Sequence, residues 1–309
     1  MLKIHFLNVG HGDCCIVEFI DESRIAVIDI NRTSEMDEQS LTELAESFSI
    51  SMESLYGRTV TAALESAGYD IELQDPITYL NDMNKSSVFR FISTHPHMDH
   101  LSGLNALNDS FSISNAWIIK NNYSQDKSKL SDSQKEDWKL YKSFRDTSET
   151  KLNGTTIIRP EEGSEASFYT EDGIKILAPN DELKEAGETN ANEMSYVLLI
   201  QHKGKKIILG GDAEEATWEH LLENYPDELK NVDVLKSAHH GRDSGYYQPA
   251  VKHMSPTVTI VSVGKKPKTD ASNKYKQYCD KVCSTRWKGN IVLTIDNQGK
   301  LTYTTQYDR

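Results

Sequence analysis

The sequence lacks any apolar stretch long enough to cross a membrane. A membrane-spanning helix needs roughly 20 consecutive apolar residues, and no segment of this 309-residue chain approaches that length. The chain opens on a short apolar run, Met1 to Leu7, but no small-residue cleavage site follows it. The run therefore predicts a first strand rather than a signal peptide. We expect no membrane insertion and a cytoplasmic location.

Cysteine is scarce as well, with four residues in the chain. That number does not outline a disulfide framework in a chain of this length. Cys14 and Cys15 are adjacent in a predicted strand and should point to opposite faces. Cys279 and Cys283 lie on a predicted helix at a spacing that should place them on one face. We expect all four to be ordinary small residues that are partly buried.

Positive charge is in deficit, since 34 Lys and Arg residues stand against 47 Asp and Glu residues, for a net charge of −13. Non-specific binding to nucleic acid depends on many Lys and Arg contacts to phosphate, so this balance disfavours a long duplex as a substrate. It does not exclude a short or single-stranded nucleic acid, because two divalent metal ions would add about four positive charges locally.

Short apolar runs separated by turn residues predict strands along most of the chain. The predicted strands are Ile4–Val9, Cys14–Phe19, Arg24–Ile30, Val88–Ser93, Ala116–Lys120, Thr155–Ile158, Ile174–Ala178, Tyr196–His202, Lys205–Leu209, Val232–Ser237, Val258–Val263, Ile291–Ile295 and Leu301–Gln306. Helical spacing lies between several of them, including Leu41–Phe48, Thr59–Ala67, a helix from Asp212 and Ser272–Arg286. Two runs of strands with interspersed helices predict an α/β protein, a four-layer αββα sandwich of two stacked sheets with helices outside.

The chain shows no short-period repeat and no flexible linker rich in Pro or Gly. We therefore expect residues 1–309 to form a single domain, with polar insertions at about 31–87 and 121–153. The second insertion is strongly charged. We interpret it as a helical segment over the surface, with its charges in solvent.

Three histidines and one aspartate lie within six residues: His95, His97, Asp99 and His100. They follow directly on the compact apolar run Val88–Ser93, which predicts a buried strand. Imidazole and carboxylate are the ligands that suit zinc and related divalent metals. A surface loop rich in histidine by chance is the alternative, but with only ten histidines in the chain such clustering is improbable. The segment predicts a metal-binding loop.

This motif resembles the signature of the metallo-β-lactamase superfamily, and further segments match that family in the expected order. Ile207–Asp212 is similar to the strand that presents a metal-bridging aspartate, and Leu235–Gly241 to the segment that supplies the last histidine. Phe6–Asp13 is similar to the F-L-D-V-G-Q-G-D start of the branch typified by the DNA-uptake protein ComEC, as are Asn192–Leu199 and Ser262–Gly264. The resemblance covers nearly the whole chain apart from the two insertions. It implies the metallo-β-lactamase fold.

Carried over residue by residue, the resemblance implies a centre of two divalent metal ions, with zinc expected and manganese as the alternative. His95 and His97 would bind one ion. Asp99 and His100 would bind the other, and Asp212 would bridge both. Asp99 is also a catalytic candidate, because it could orient the attacking water or accept its proton.

The last ligand lies in the adjacent pair His239 and His240. The resemblance implies that His239 completes the second site, and we favour it because it comes first after the strand. His240 could be that ligand instead, or it could face the leaving group of the substrate, which makes it the second catalytic candidate.

The chain departs from the general family pattern in one respect. Many members supply a third histidine to the first metal from the middle of the chain, but here no histidine occurs between His100 and His202. His202 lies near a strand end and is interpreted as structural. The first metal would then be bound more weakly, or its ligands would be completed by water, a substrate oxygen or Asp13.

Smaller signals lie around these motifs. Asp13 and His11 follow the first strand, and either could support a ligand histidine or contact the substrate; a turn-forming Asp13 and a solvent-facing His11 are the alternatives. Asp29 resembles the aspartate of a family D-G-G element, but Ile30 and Asn31 replace its glycines. A small basic group, Lys265, Lys266 and Lys268, predicts either a phosphate-contacting rim or a solvated loop.

The resemblance implies a metal-dependent hydrolase, most simply a phosphodiesterase or nuclease of the ComEC-like type. Its substrate would be a nucleotide or a short or single-stranded nucleic acid. A carboxylic ester, lactone or lactam could be hydrolysed by the same metal chemistry, so that is an alternative. A further alternative is a partner subunit in a multi-gene system, such as phage defence or DNA uptake, whose insertions dock a protein partner.

Overall fold

The computed structural model describes residues 1–33, 35–36, 38–50, 59–69, 72–264 and 271–308. Its strands are β1 (Leu2–Phe6), β2 (Cys15–Phe19), β3 (Arg24–Ile28), β4 (Ser87–Ile92), β5 (Ser112–Trp117), β6 (Lys151–Leu152), β7 (Thr155–Ile158), β8 (Ile174–Ala178), β9 (Val197–His202), β10 (Lys205–Leu209), β11 (Val234–Lys236), β12 (Val258–Val261), β13 (Lys281–Ser284), β14 (Ile291–Ile295) and β15 (Leu301–Thr305). One sheet has the order β15-β14-β1-β2-β3-β4-β5-β7-β6, and the other has the order β13-β12-β11-β10-β9-β8.

The helices are α1 (Glu38–Ser47), α2 (Val60–Ser66), α3 (Pro76–Asp82), α4 (Leu104–Ser110), α5 (Asp132–Asp146), α6 (Ser167–Thr170), α7 (Asp181–Ala186), α8 (Glu215–Asn224), α9 (Gln248–Met254), α10 (Ser272–Tyr275) and α11 (Thr285–Lys288). None of the helices in the described ranges has both the length and the apolar character that crossing a bilayer requires.

The two sheets pack face to face because strands from both turn apolar side chains toward each other. Val17 and Ile28 of the first sheet lie in one buried cluster with Leu198 and Leu209 of the second. Neighbouring residues on the same strands point outward, as the alternation of side chains along a strand requires. The cluster forms the central core.

A helical layer covers the outer face of each sheet. Leu104 of α4 and Trp138 of α5 pack on the first sheet, in a cluster with Ile16 of β2. Trp218 of α8 and Met254 of α9 pack on the second sheet. This order of layers confirms the predicted four-layer αββα sandwich.

The charged segment 121–153 is more deeply packed than predicted. It contains the expected helix, α5, but one face of that helix is buried on the first sheet through Trp138, Tyr141 and Phe144. Asp137 of the same helix accepts hydrogen bonds from the backbone N–H groups of Gly103, at 2.9 Å, and Asn105, at 2.8 Å. Helix α5 therefore anchors the chain just after the histidine motif, and its charges cover only its outer face.

The predicted helix Ser272–Arg286 is wrong. Helix α10 ends at Tyr275, and strand β13 follows and pairs in parallel with β12 through Val282 and Cys283. The gain from sheet pairing and from burying Cys283 in the central core overrides the helical spacing of the sequence. Cys279 thus lies outside the strand, half-buried, and does not share a helix face with Cys283.

The four cysteines are free, and Cys14, Cys15 and Cys283 are buried, as expected of small residues in a core. Cys14 lies in the outer cluster under the helices and Cys15 in the central core. The predicted opposite orientation of this pair is confirmed.

A buried ion pair gives a stability prediction. Arg90 and Asp172 are both fully buried, and Arg90 Nη1 lies 2.8 Å from Asp172 Oδ2. Asp172→Ala would leave the Arg90 guanidinium without this counter-charge, so we expect a loss of about 3–5 kcal/mol in the free energy of unfolding. Chemical denaturation measures it. Glu171→Ala, which removes an exposed carboxylate 3.9 Å from Arg24, should cost less than about 1 kcal/mol. Equal effects of the two changes would contradict the prediction.

Candidate metal centre

The candidate site lies where parallel strands of both sheets end. Asp29 follows β3 and the histidine motif follows β4, on the first sheet, and these strands are parallel. Asp212 follows β10 and His239 and His240 follow β11, on the second sheet, also parallel. Because the carboxyl ends of parallel strands meet at one edge, residues far apart in sequence converge there.

Asp212 lies at the centre of the site and is 2% exposed. Its Oδ2 atom lies 3.7 Å from His95 Nε2, 3.4 Å from His100 Nε2, 3.9 Å from His239 Nε2 and 3.7 Å from His240 Nε2. One carboxylate oxygen therefore faces four imidazoles. The helix predicted to begin at Asp212 instead begins at Glu215, so Asp212 lies in the loop between β10 and α8.

His95 and His97 lie side by side at the end of β4. His95 Nε2 is 3.0 Å from His97 Nδ1, and the ligand atoms of these two residues and Asp212 lie within 4.8 Å of one another. We call this set the first group. Tyr123 lies against the outer side of His97, with their ring centroids 5.5 Å apart.

His100 is held in place by Asp29. The Nδ1 atom of His100 lies 2.8 Å from Asp29 Oδ2, and Asp29 also accepts hydrogen bonds from the backbone N–H and the hydroxyl of Thr94, both at 2.7 Å. Because Nδ1 is engaged by the carboxylate, Nε2 is the atom turned toward Asp212. Asp29, whose role the sequence left open, is therefore a positioning residue for the histidine motif.

His240 is fully inside the site. Its Nδ1 donates to the backbone carbonyl of Ser262 at 3.1 Å, since a carbonyl oxygen can only accept. Its Nε2 lies 3.1 Å from Asp99 Oδ2. The ligand atoms of Asp13, His100, Asp212 and His240 lie within 4.8 Å of one another, as do those of His11, Asp99 and His240. We call His100, Asp212 and His240, together with Asp99, whose Oδ2 lies 3.9 Å from His100 Nε2, the second group.

His239 is oriented differently from its neighbour. Its Nδ1 lies 3.0 Å from Glu214 Oε1 and 2.7 Å from Ser244 Oγ. It reaches Asp212, but it lies outside every set of mutually close ligand atoms among the described residues, both those around His240 and that of His95, His97 and Asp212. The structure thus brings His240, rather than the favoured His239, together with His100.

Lys236, the last residue of β11, is the functional residue that sequence reasoning missed. It is 4% exposed, and its Nζ donates to Asp13 Oδ2. Burial lowers the pKa of this ammonium, but Asp13 and Asp212 outweigh burial and raise it. A lysine in the otherwise apolar strand segment before the paired histidines was the available signal. The positive charge of Lys236 offsets the negative charge of the nearby carboxylates. Its ammonium group occupies the Oδ2 side of Asp13.

The turn between β1 and β2 closes the site against the histidine motif. The backbone N–H of Asp13 donates to the carbonyl of Asp99 at 3.1 Å. Gly12 has a φ of +149°, and a Cβ there would lie 2.5 Å from the carbonyl oxygen of Asp99. His11 faces His240, with ring centroids 4.9 Å apart, and accepts from Arg242 at 3.3 Å. The glycine is therefore required by this close approach.

The histidines of the site differ in the direction in which their surroundings shift the pKa of the imidazole. Burial lowers the pKa of His95 far below its usual value and also lowers that of His97, to which the neighbouring His239 contributes. For His100, burial acts in the same direction, but Asp212, Asp29 and Asp99 outweigh it and raise the pKa well above its usual value. Burial would raise the pKa of Asp212, but His100 and the other histidines hold it well below its usual range.

The residues fit divalent cations. Asp212 Oδ1 and Asp13 Oδ1 are buried without a hydrogen-bond partner among the described residues, although buried polar atoms are nearly always satisfied. Neutral imidazoles and ionised carboxylates are the forms that bind metal. Two sets of such groups that share Asp212 match the donor chemistry of divalent metal ions.

A cleft of about 1140 Å³ opens beside the second group and is lined by His11 and Asp99. Its other charged walls, among the described residues, carry an excess of carboxylates: Glu35, Asp75, Asp109, Glu136 and Asp137, against Arg32. Arg32 is itself paired with Asp75 at 2.9 Å. Lys265, Lys266 and Lys268, the predicted basic rim, lie outside the described residues.

The two facing sheets, the helical layers and the ligand-rich loops at one strand edge define a metallo-β-lactamase fold with a candidate metal centre. Igni18, a metallo hydrolase from the archaeon Ignicoccus hospitalis, is 13% identical over 97% of this chain and 98% of its own, with a TM-score of 0.47. The metallo-β-lactamase-fold protein YhfI from Bacillus subtilis is 12% identical over 98% of this chain and 100% of its own, with a TM-score of 0.46.

These likenesses concern the fold alone. No family model matches the chain, and no curated protein matches it in sequence. The ComEC-like branch stays a prediction from the sequence motifs.

Proposed function

We propose that the protein is a hydrolase with two divalent metal ions that cleaves a phosphodiester. The observation that carries this proposal is the position of Asp212, whose Oδ2 atom lies within 3.4 to 3.9 Å of four imidazoles. A shared carboxylate between two ligand sets suits a pair of ions that clamp the attacking and leaving oxygens of a displacement at phosphorus.

Each ion would have its own set of side chains. His95, His97 and Asp212, the first group, would hold one ion, and Asp212 would bridge to the other. Asp99, His100 and His240 would hold the second ion. This assignment gives His240 the position for which the sequence favoured His239, because His240 lies close to both His100 and Asp99.

The side chains divide the chemistry between them. Bound divalent ions lower the pKa of coordinated water toward about 7 and so supply a nucleophile at neutral pH. Asp99 is 30% exposed and lines the cleft, so it can orient that water and accept its proton. His240 approaches the same carboxylate from the buried side and fixes its direction. Asp29 and the carbonyl of Ser262 hold the ligand histidines in the required tautomer.

The cleft favours a small substrate. Its described walls are acidic, so they repel a long polyanion on either side of the scissile phosphate. A single phosphodiester, such as a cyclic or short nucleotide, places one negative group at the metals and little charge on the walls. We therefore favour a nucleotide-sized phosphodiester over nucleic acid.

The proposed phosphodiester hydrolysis has two alternatives. The same metal chemistry serves hydrolysis of an ester, lactone or lactam. A docking role for the segment 121–153 is less favoured, because helix α5 has a buried face that packs on the first sheet. Deleting this segment would remove core residues, so such a deletion cannot separate docking from folding.

A panel of chromogenic substrates tests the proposal. With Zn²⁺ or Mn²⁺ supplied, we expect hydrolysis of a small phosphodiester, with kcat/KM at least about tenfold above that for a lactone or carboxylic ester of similar size, a difference of about 1.4 kcal/mol in the barrier. A polynucleotide is expected to be cleaved more slowly than a dinucleotide. Preference for the lactone or ester would transfer the assignment to the alternative.

A further inference from the structure

Two consecutive histidines of the loop after β11 face the same carboxylate. His239 and His240 both have left-handed backbone conformations, with φ of 47° and 52°. Such conformations are uncommon for residues other than glycine. They turn both imidazoles toward Asp212, whose Oδ2 atom lies 3.9 Å from His239 Nε2 and 3.7 Å from His240 Nε2.

The two histidines are held by different partners. His240 donates a hydrogen bond from Nδ1 to the carbonyl of Ser262, and its Nε2 lies beside the carboxylate of Asp99. His239 is held at Nδ1 by Glu214 and Ser244. A carboxylate on one imidazole nitrogen fixes the ring and leaves the other nitrogen as the ligand atom. This arrangement directs His239 Nε2 into the centre.

Glu214 is in turn held in place by hydrogen bonds from two asparagine side chains. Its two oxygens accept hydrogen bonds from Asn190 Nδ2 at 2.8 Å and from Asn192 Nδ2 at 3.1 Å. A carboxylate fixed by two side-chain amides holds the imidazole of His239 in one orientation.

The first group offers fewer ligand atoms than the second. His95, His97 and Asp212 offer three, which leaves room at a zinc ion for one further side chain as well as a water molecule, because catalytic zinc sites can expand to five ligands. Asp99, His100, Asp212 and His240 already offer four. No histidine between positions 101 and 201 exists to complete the first group. His239 is the remaining imidazole that faces Asp212.

We propose that His239 completes the first group as its third histidine, with Glu214 as its positioning residue, so that two adjacent histidines serve different metal ions. The proposal rests on the two-metal centre of the proposed function, and it does not depend on the substrate. It also removes the expected weakness of the first metal, since a fourth side chain would complete its ligands without a substrate oxygen or Asp13, and a water molecule could still add as a fifth ligand.

Metal stoichiometry tests the proposal without an activity assay. Wild type and variants would be dialysed against one chelator-buffered Zn²⁺ solution in which the wild type holds two equivalents, and bound metal would be measured by elemental analysis. We expect one equivalent for His239→Ala, for His97→Ala and for His240→Ala. The double variant His97→Ala/His239→Ala should still hold one, because both changes affect one site. His239→Ala/His240→Ala should hold none. His253→Ala, which removes an imidazole that donates to the carbonyl of Pro226 and belongs to neither group, should hold two.

A conservative variant tests the positioning residue. Glu214→Gln keeps the size of the side chain but removes its charge, so we expect one of the two ions to bind about 10- to 100-fold more weakly. Glu215→Gln, at the adjacent exposed position, should leave both affinities unchanged. Circular dichroism confirms that each variant is folded.

Three results would overturn the proposal: two equivalents in His239→Ala at unchanged affinity, none in His97→Ala/His239→Ala, or a wild type that holds one equivalent at saturation. If the expected stoichiometries are found but no phosphodiester is hydrolysed, the ligand assignment stands and the proposed function fails.

Discussion

Asp212→Asn is expected to lower the kcat for phosphodiester hydrolysis on the order of 10³-fold or more, because it removes a preorganised charge at the reacting centre. Asn has the shape of Asp but no negative charge, so it can neither bridge two cations nor balance the four surrounding imidazoles. Steady-state kinetics with saturating Zn²⁺ or Mn²⁺ measures the effect.

Asp280→Asn is the matched control, since Asp280 is exposed and belongs to neither ligand group. It should leave kcat unchanged. Circular dichroism and the unfolding midpoint show whether Asp212→Asn remains folded. A folded Asp212→Asn variant with kcat within about tenfold of wild type, a barrier change of about 1.4 kcal/mol, would mean that the carboxylate does not bridge metals.

Removal of metal is expected to lower the thermal unfolding midpoint by on the order of 10 °C. A ligand that binds only the folded chain at about 1,000 times its Kd adds about 4 kcal/mol, and each kcal/mol shifts the midpoint of a protein of this size class by roughly 2–4 °C. The cause is the concentration of buried carboxylates, Asp13, Asp29 and Asp212, of which Lys236 neutralises one. Calorimetry of chelator-stripped and Zn²⁺-loaded protein measures the shift.

The same comparison on Asp212→Asn serves as its control. The loss of the bridging carboxylate should reduce the Zn²⁺-dependent shift to a small fraction of its wild-type size. If Zn²⁺ raised the midpoints of wild type and variant equally, the stabilising ion would be bound elsewhere.

The sequence predicted which side chains the fold brings together better than how they are arranged. His95, His97, Asp99 and His100 could be recognised because they lie on one short loop after a buried strand. Such spacing keeps the four side chains within a few residues of one another, so that a single loop can present them together.

The choice between His239 and His240 could not be made from spacing. Adjacent residues in an extended chain would point in opposite directions, and only the left-handed backbone at both positions turns both toward Asp212. The backbone conformation depends on contacts with the loop after β12, where Ser262 accepts from His240. These contacts join residues distant in sequence, and no local pattern reveals them.

The errors in the fold have a similar cause. Residues 272–286 have helical spacing, but residues 281–284 pair in parallel with the neighbouring strand β12 and form a strand instead. In the segment 121–153 the charges dominate the composition, although the buried face of α5 is carried by three aromatic side chains. Long-range pairing and the burial of a few large residues decided both cases.

The most direct test of the central claim is phosphodiester hydrolysis during a titration of metal-stripped protein with Zn²⁺ or Mn²⁺. We predict no hydrolysis without metal, and a rise that saturates as two equivalents are bound per chain. Hydrolysis of the same substrate at an undiminished rate in excess chelator, with no metal detected in the protein by elemental analysis, would contradict it.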